Sequence, residues 1–372
     1  MSRIDWHYPR RDLAKRYLAG VTQGMMNRIA LLGVRRVGKT EFLLRDLCPL
    51  ALEEGYLPVY INLWASPEYP HETVIAALQT ALAGRKDKRR IKDALSSEVK
   101  KLEVGNSLIG KLGFEFEGTV PAIEPGTLTR IGQLIQQLVD TPNCKPLLII
   151  DEIQHLAQSD HFYALQGALR TAFDLHGDRL PVVYAGSSRS GIQAMFADDK
   201  MPFYNSAYMT DFPTMGIEFV RHCCDILKDR FGLSYDVREV ADIFARCFDH
   251  SPFWLSKLIQ HLVMHQCSVQ AAAEVVQEQI VLDGGFEALS KKLNSTDRAV
   301  LMLIKEECRQ LYAESTLQTI KERFGINVKD SGVTAALNKL KRHGLISQMG
   351  RSNYLIENAG FIEYLRQRHK PR

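Results

Sequence analysis

One stretch near the N-terminus constrains this chain more than any other: Gly33-Val34-Arg35-Arg36-Val37-Gly38-Lys39-Thr40. It has the spacing G-x-x-x-x-G-K-T, and its flanks suit that motif. Ile29-Ala30-Leu31-Leu32 before it reads as an apolar strand, and Glu41-Phe42-Leu43-Leu44-Arg45-Asp46-Leu47 after it reads as a helix. A strand, a glycine-bracketed loop and a helix N-terminus together turn backbone N–H groups inward at the positive end of a helix dipole. That arrangement cradles phosphate oxygens. Lys39 is expected to reach the β- and γ-phosphates of ATP, and Thr40 to hold Mg²⁺ through its hydroxyl. The expected nucleotide contacts are Gly33, Arg35, Arg36, Val37, Gly38, Lys39, Thr40 and Glu41.

Such a site needs a second acid. Leu147-Leu148-Ile149-Ile150-Asp151-Glu152 is an apolar strand ending in two carboxylates. At a strand tip beside the loop, Asp151 is placed to complete the metal site with Thr40, and Glu152 to orient or deprotonate an attacking water. A further strand, Val182-Val183-Tyr184-Ala185, runs into Gly186-Ser187-Ser188-Arg189. Ser188 is a candidate contact to the γ-phosphate or the water, and Arg189 a candidate anion reader; a loop of self-satisfied serines is the competing reading. The segment is not a nucleophile elbow, because the fifth position is Ser190. The histidine and cysteine groups at 222–224 and 261–267 lack a second pair at zinc spacing, and are read as core or surface residues.

The strands at 29–32, 57–63, 146–150 and 181–185, with helices between them, predict an α/β core with a parallel sheet covered on both faces. Ligands of such sheets gather at the carboxyl ends of the strands, where Gly33 and Asp151 fall. Residues 84–118 break the pattern and read as an insertion. The charge run 85–90 is a solvated loop or helix start, with a nucleic-acid contact as the minority reading, and 114–117 alternates like an edge strand. Residues 217–282 read as four helices, with Asp236 and Glu239 forming a capping box and Ser251-Pro252 opening the third. The domain expectation is a core over 1–215, a helical lid over 216–290 and a final module over 291–372.

That last module reads as helices near 298–309, 317–324 and 333–343, followed by a hairpin, which is the order of a winged helix-turn-helix. Val333, Leu337 and Leu340 share its third helix's inner face. Thr334, Asn338, Lys341 and Arg342 on that helix, with Arg351 in the hairpin turn, are the expected contacts to double-stranded DNA. Charge favours the same reading. The whole 372-residue chain carries +4, yet residues 295–372 hold 14 Lys/Arg against 8 Asp/Glu. The polar start, the lack of a membrane-length apolar run and seven cysteines without framework spacing predict a cytoplasmic protein with reduced thiols and no membrane partner.

The phosphate loop with its paired arginines, the Asp-Glu strand, the Gly-Ser-Ser strand end, the helical lid and the final winged helix resemble the AAA+/STAND-type P-loop ATPases. The nearest group is the archaeal-type ATPases akin to origin-recognition ATPases. The resemblance runs from about Tyr8 to Tyr364 and is carried chiefly by the first two motifs. It implies an ATPase in which Lys39 and Thr40 serve phosphate and Mg²⁺, Asp151 and Glu152 are the acidic pair, and Ser188 is a sensor. It also implies a lid contact to nucleotide at Pro252. The chain departs from the family's pattern in two places. Phe203-Tyr204-Asn205-Ser206 stands where an arginine finger is common, and His250-Ser251-Pro252 replaces a Gly-x-Pro lid motif with no arginine opening the helix, Lys257 being the nearest cation. The departures imply slow hydrolysis unless Arg189, Arg35 or Arg36 substitutes. The expected function is an ATP-dependent switch that binds DNA. The alternatives are an ATP-driven oligomerising signalling or defence protein whose winged helix binds protein, and a nucleotide-binding scaffold without turnover.

Overall fold

The structure is a computed structural model that describes residues 4–85, 88–105, 123–283, 286–306, 308, 310–349, 353–356, 361 and 364–365. The chain divides into two compact units, Met1–Pro213 and Thr214–Arg372. The expected edge strand at 114–117 and the hairpin turn with Arg351 lie outside the described residues.

The first unit is built on a five-stranded parallel sheet. Its strands are β1 (Arg28–Leu32), β2 (Leu57–Asn62), β3 (Pro146–Asp151), β4 (Val182–Gly186) and β5 (Tyr208–Asp211), in the order β2-β3-β4-β1-β5. All residues of β1, β3 and β4 are buried, as unbroken apolar runs in a two-sided sheet require. Helix α1 (Arg11–Thr22) precedes the sheet. After β1, the helix α2 (Lys39–Phe42) passes through a π-turn, Leu43–Leu47, into α3 (Cys48–Glu53). Pro49 accounts for the wide turn: it offers no N–H to the carbonyl four residues back, and its ring would crowd a regular helix there.

Helices α4 (Pro70–Gly84), α5 (Lys88–Gly105) and α6 (Pro125–Val139) lie between β2 and β3, α7 (Tyr163–His176) between β3 and β4, and α8 (Arg189–Ala197) between β4 and β5. Residues 88–90 of the charge run open α5, and 86–87 lie outside the described residues. Tyr184 of β4 packs with Phe173, Phe196 and Phe203, with ring centroids 5.1–6.4 Å apart, and this aromatic cluster fixes α7 and α8 against the sheet.

Strand β5 went unread in the sequence. Three of its four residues are exposed, so it carries no apolar pattern, and only its pairing with β1 defines it.

In the second unit, α9 (Ile217–Phe231), α10 (Val237–Arg246), α11 (Pro252–His265) and α12 (Val269–Asp283) follow the expected four-helix order, and α13 (Phe286–Lys292) comes next. The expected capping box at α10 is replaced by a simple cap: Asp236 accepts the N–H of Arg238 at 2.9 Å. A full box stands instead at α14 (Ser295–Lys305), where Asn294 and Asp297 exchange bonds at 2.8 Å. Then come α15 (Glu314–Phe324), α16 (Asp330–Arg342) and the antiparallel pair β6 (Ile346–Met349) and β7 (Asn353–Ile356). Val333, Leu337 and Leu340 are buried along one face of α16. No helix among the described residues is long and apolar enough to cross a membrane.

Candidate functional site

The carboxyl ends of β1, β3 and β4 bring the sequence motifs together. Gly38 has φ 89°, a left-handed conformation at the N-cap of α2 that only glycine adopts cheaply, and Arg36 before it also has positive φ (66°). The loop therefore turns tightly over the helix N-terminus. Gly33 is equally confined, since a Cβ there would stand 3.3–3.4 Å from Val37 Cγ1, Lys39 Nζ and Phe212 Cβ. Lys39, 6 % exposed, folds back into the loop and donates to the carbonyls of Gly33 (2.6 Å) and Val34 (2.9 Å). Its ammonium thus lies within the loop that the motif predicts it to serve.

Thr40 and Asp151, 111 positions apart, meet directly: the Thr40 hydroxyl donates to Asp151 Oδ2 at 2.7 Å. Tyr60 of β2 donates to the same oxygen at 3.0 Å, and the Glu152 N–H donates to Oδ1 at 3.0 Å. Asp151 is 1 % exposed. Burial and the neighbouring charge of Glu152 push its carboxyl up to about 6, against the hydrogen bonds from Thr40 and Tyr60 and the charge of Lys39. A hydroxyl and a carboxylate 2.7 Å apart are hard oxygen donors that suit Mg²⁺, an ion that keeps waters and phosphate oxygens for its remaining positions. Among the described residues no group of three or more His, Cys, Asp or Glu is arranged for a metal. Two protein oxygens leave an ion's remaining positions to water and phosphate.

Glu152 follows with φ 57°, an uncommon backbone for a non-glycine residue. Its Oε2 accepts from Ser187 Oγ at 2.7 Å and from the Gln154 amide. The expected contact to the γ-phosphate or the water, Ser188, lies next in the chain. Ser188 is the N-cap of α8, where its Oγ accepts the Gly191 N–H at 3.1 Å, whereas its neighbour Ser187 meets the acid. Adjacent residues leaving a strand point to opposite sides, and the one that starts the helix is taken for capping.

Three other expected contacts have partners within the chain. Arg189 pairs with Asp211 of β5 at 2.8 Å. The Glu41 carboxylate accepts from His7 Nδ1 at 3.0 Å, with Arg45 at 3.9 Å, so its side chain serves the N-terminal segment. The Arg35 guanidinium sits over the Trp64 indole, 5.4 Å from its centre. Val37 is buried in the core beneath the loop.

Arg10 is a residue the sequence reading missed. It donates to the carbonyl of Gly38 at 2.8 Å and lies over the rings of Phe212 (4.6 Å) and Phe42 (5.1 Å). Burial draws its guanidinium down to about 10 despite the nearby Asp46 and Glu41. Arg10 thus buttresses the loop from behind.

In the second unit, Pro252 occupies the first turn of α11. On α16, Thr334 and Asn338 are exposed. Thr334 Oγ1 bonds the carbonyl of Asp330 (3.0 Å) and lies 3.3 Å from the Tyr312 hydroxyl. Lys341, an expected DNA contact, donates to Gln348 Oε1 and lies over the Tyr354 ring at 5.3 Å, so it also ties the helix to the hairpin. Lys339 bonds buried Asp297 at 2.8 Å and ties α16 to α14. Arg342 ends α16, and its side chain lies outside the described set.

No family model matches the chain, and no curated protein matches it in sequence. Among solved structures, a Walker-type ATPase of Pyrococcus abyssi is similar, with TM-score 0.60 and 19 % identity over 96 % of this chain and 95 % of that one. The ORC2 protein of Aeropyrum pernix is similar in its ADP form (TM-score 0.52, 16 % identity, 96 % and 90 % covered). It is similar also in its ADPNP–ADP complexes (TM-score 0.51, 15 % identity, 96 % and 91 % covered). At these identities the likeness is one of fold: a parallel-sheet P-loop core with helical additions, shared with archaeal ORC and Walker-type ATPases.

Proposed function

We propose that this chain binds ATP with Mg²⁺ between the loop of Lys39 and the acids at 151 and 152, hydrolyses it slowly, and uses the cycle as a switch. The observation that carries the reading is the 2.7 Å bond between Thr40 and Asp151, which joins two independently recognised motifs in one site. Lys39 and the loop N–H groups hold the phosphates. Thr40 and Asp151 hold the ion, which supplies charge neutralisation for the phosphate oxygens when bound. Glu152 accepts the proton of the attacking water, as its oxygen bonds the γ-phosphorus and the bond to the bridging oxygen breaks to release ADP. Slow turnover follows from the lack of an arginine at 203–206 and from the pairing of Arg189 with Asp211.

The resemblance in fold to a nucleotide-complexed ORC2 supports the nucleotide half of the proposal. The DNA half rests on the basic surplus of residues 295–372 and on exposed Thr334 and Asn338, with Lys341 of the same helix bonded to Gln348. The second reading, nucleotide-driven self-association, is favoured by edge strand β5, where Tyr208 is 58 % exposed and Met209 joins it.

Phosphate release with ATP and Mg²⁺ tests the enzyme. Wild type turns over, and Glu152→Gln retains ATP without releasing phosphate. Binding to duplex DNA across a salt series tests the switch. Affinity falls steeply with salt and differs between ATP and ADP. A flat salt response removes the DNA half, and growth in mass with ATP alone selects self-association.

A further inference from the structure

Gln154 lies two residues beyond Glu152 in the short 3-10 turn Ile153–Ala157 and is 3 % exposed. Its amide nitrogen donates to Glu152 Oε2 and, at 3.4 Å, to Ser187 Oγ. Ser187 Oγ donates to the same Glu152 oxygen at 2.7 Å. The three side chains close a ring on one carboxylate oxygen. The amide can face only this way, because turned over it would set its own oxygen against the carboxylate. The consequence is that Gln154 Oε1 is buried without a hydrogen-bond partner. A buried acceptor left unsatisfied weakens a fold, so the core gains nothing from this side chain that an apolar one would not supply better.

Two glycines make room for it. A Cβ on Gly186 would stand 2.0 Å from Gln154 Oε1 and 2.8 Å from Ile192 Cδ1, and one on Gly191 2.8 Å from Gln154 Cβ. Neither glycine has positive φ, so space rather than backbone conformation requires them. Gly191 moreover lies within α8, where glycine costs helix stability. An unsatisfied acceptor, two space-making glycines and the left-handed backbone of Glu152 converge on one outcome, the fixed orientation of the Glu152 carboxylate.

We infer that Gln154 is a positioning residue for Glu152: with Ser187 it pins Oε2, so that Oε1 is the oxygen presented to the attacking water. The inference rests on the hydrolytic reading above. A carboxylate without the clamp would rotate among rotamers that miss the water, and misplacement of that order is costly in rate.

Gln154→Met keeps the chain length and deletes both donors together with the orphaned acceptor. Gly186→Ala leaves Gln154 intact but displaces its amide. Phosphate release, ATP affinity by calorimetry and Tm are measured for each. Gln154→Met is expected to keep or raise Tm and to hold ATP affinity within about twofold, while kcat falls roughly 10- to 100-fold. Gly186→Ala reproduces the loss. If Gly186→Ala does not fold, Gln154→Met decides alone. An unchanged or raised kcat in Gln154→Met overturns the inference, as does a kcat loss matched by a collapse in Tm. Wild type without turnover fails the hydrolytic reading itself and takes the inference with it; a wild type that turns over beside an unaffected Gln154→Met fails the inference alone.

Discussion

His7 shows how single residues hold the loop's surroundings in place. Its Nδ1 meets Glu41 at 3.0 Å and its Nε2 meets buried Asp46 at 3.1 Å. Burial opposes its charge, but the hydrogen bonds to Asp46 and Glu41 outweigh it and raise its pKa to about 9. A group raised in the folded state stabilises fully below its unfolded value near 6.5, and the contribution is lost as pH climbs through about 9. The Tm of wild type should therefore exceed that of His7→Asn most at pH 6, with the gap closing by pH 10; a gap that widens with pH would contradict the pairing. At this scale the sequence was readable where chemistry demands a residue type at a fixed spacing: Lys39, Thr40, Asp151 and Glu152 are named by their motifs. Tyr60 and Arg10 were not, because each reaches the site from a segment whose pattern carries no chemical signal; Ser187 and Gln154 lie in or beside recognised motifs, but spacing alone does not say which neighbour turns toward Glu152. A tyrosine on β2 reads as an ordinary strand residue until β2 pairs with β3 and puts its hydroxyl 3.0 Å from Asp151.

Elements are legible in proportion to their apolar period. Strands β1 to β4 announce themselves as buried runs, and the four helices after residue 216 by their amphipathic faces and breaks. Strand β5 is short and exposed, and α5 is charged, so periodicity passes over both. The second unit's last helices depend on one polar node. Asp297, buried in the first turn of α14, completes the Asn294 box and receives Lys339 from α16 at 2.8 Å. Removing the carboxylate takes away a cap and leaves Lys339 without that partner. Asp297→Ala should cost about 2–3 kcal/mol of stability in urea unfolding. A loss below about 0.5 kcal/mol, the level of an ordinary surface substitution, would mean the node is incidental.

For the whole molecule, the proposed switch requires that nucleotide bound at the loop of the first unit changes what the basic residues of 295–372 engage. A ligand shifts such a protein only by the difference in its affinity for two states, so the switch stands or falls with binding at the loop. Isothermal calorimetry of ATP with and without Mg²⁺, on wild type, Lys39→Ala and Asp151→Asn, reaches that question most directly. The account predicts that wild type binds ATP, more tightly with Mg²⁺. It predicts that Lys39→Ala loses binding by at least about 100-fold, since the ammonium is a charged partner of the phosphates, and that Asp151→Asn binds without the Mg²⁺ enhancement. Wild type that takes up no nucleotide, or variants that bind as wild type does, would contradict it.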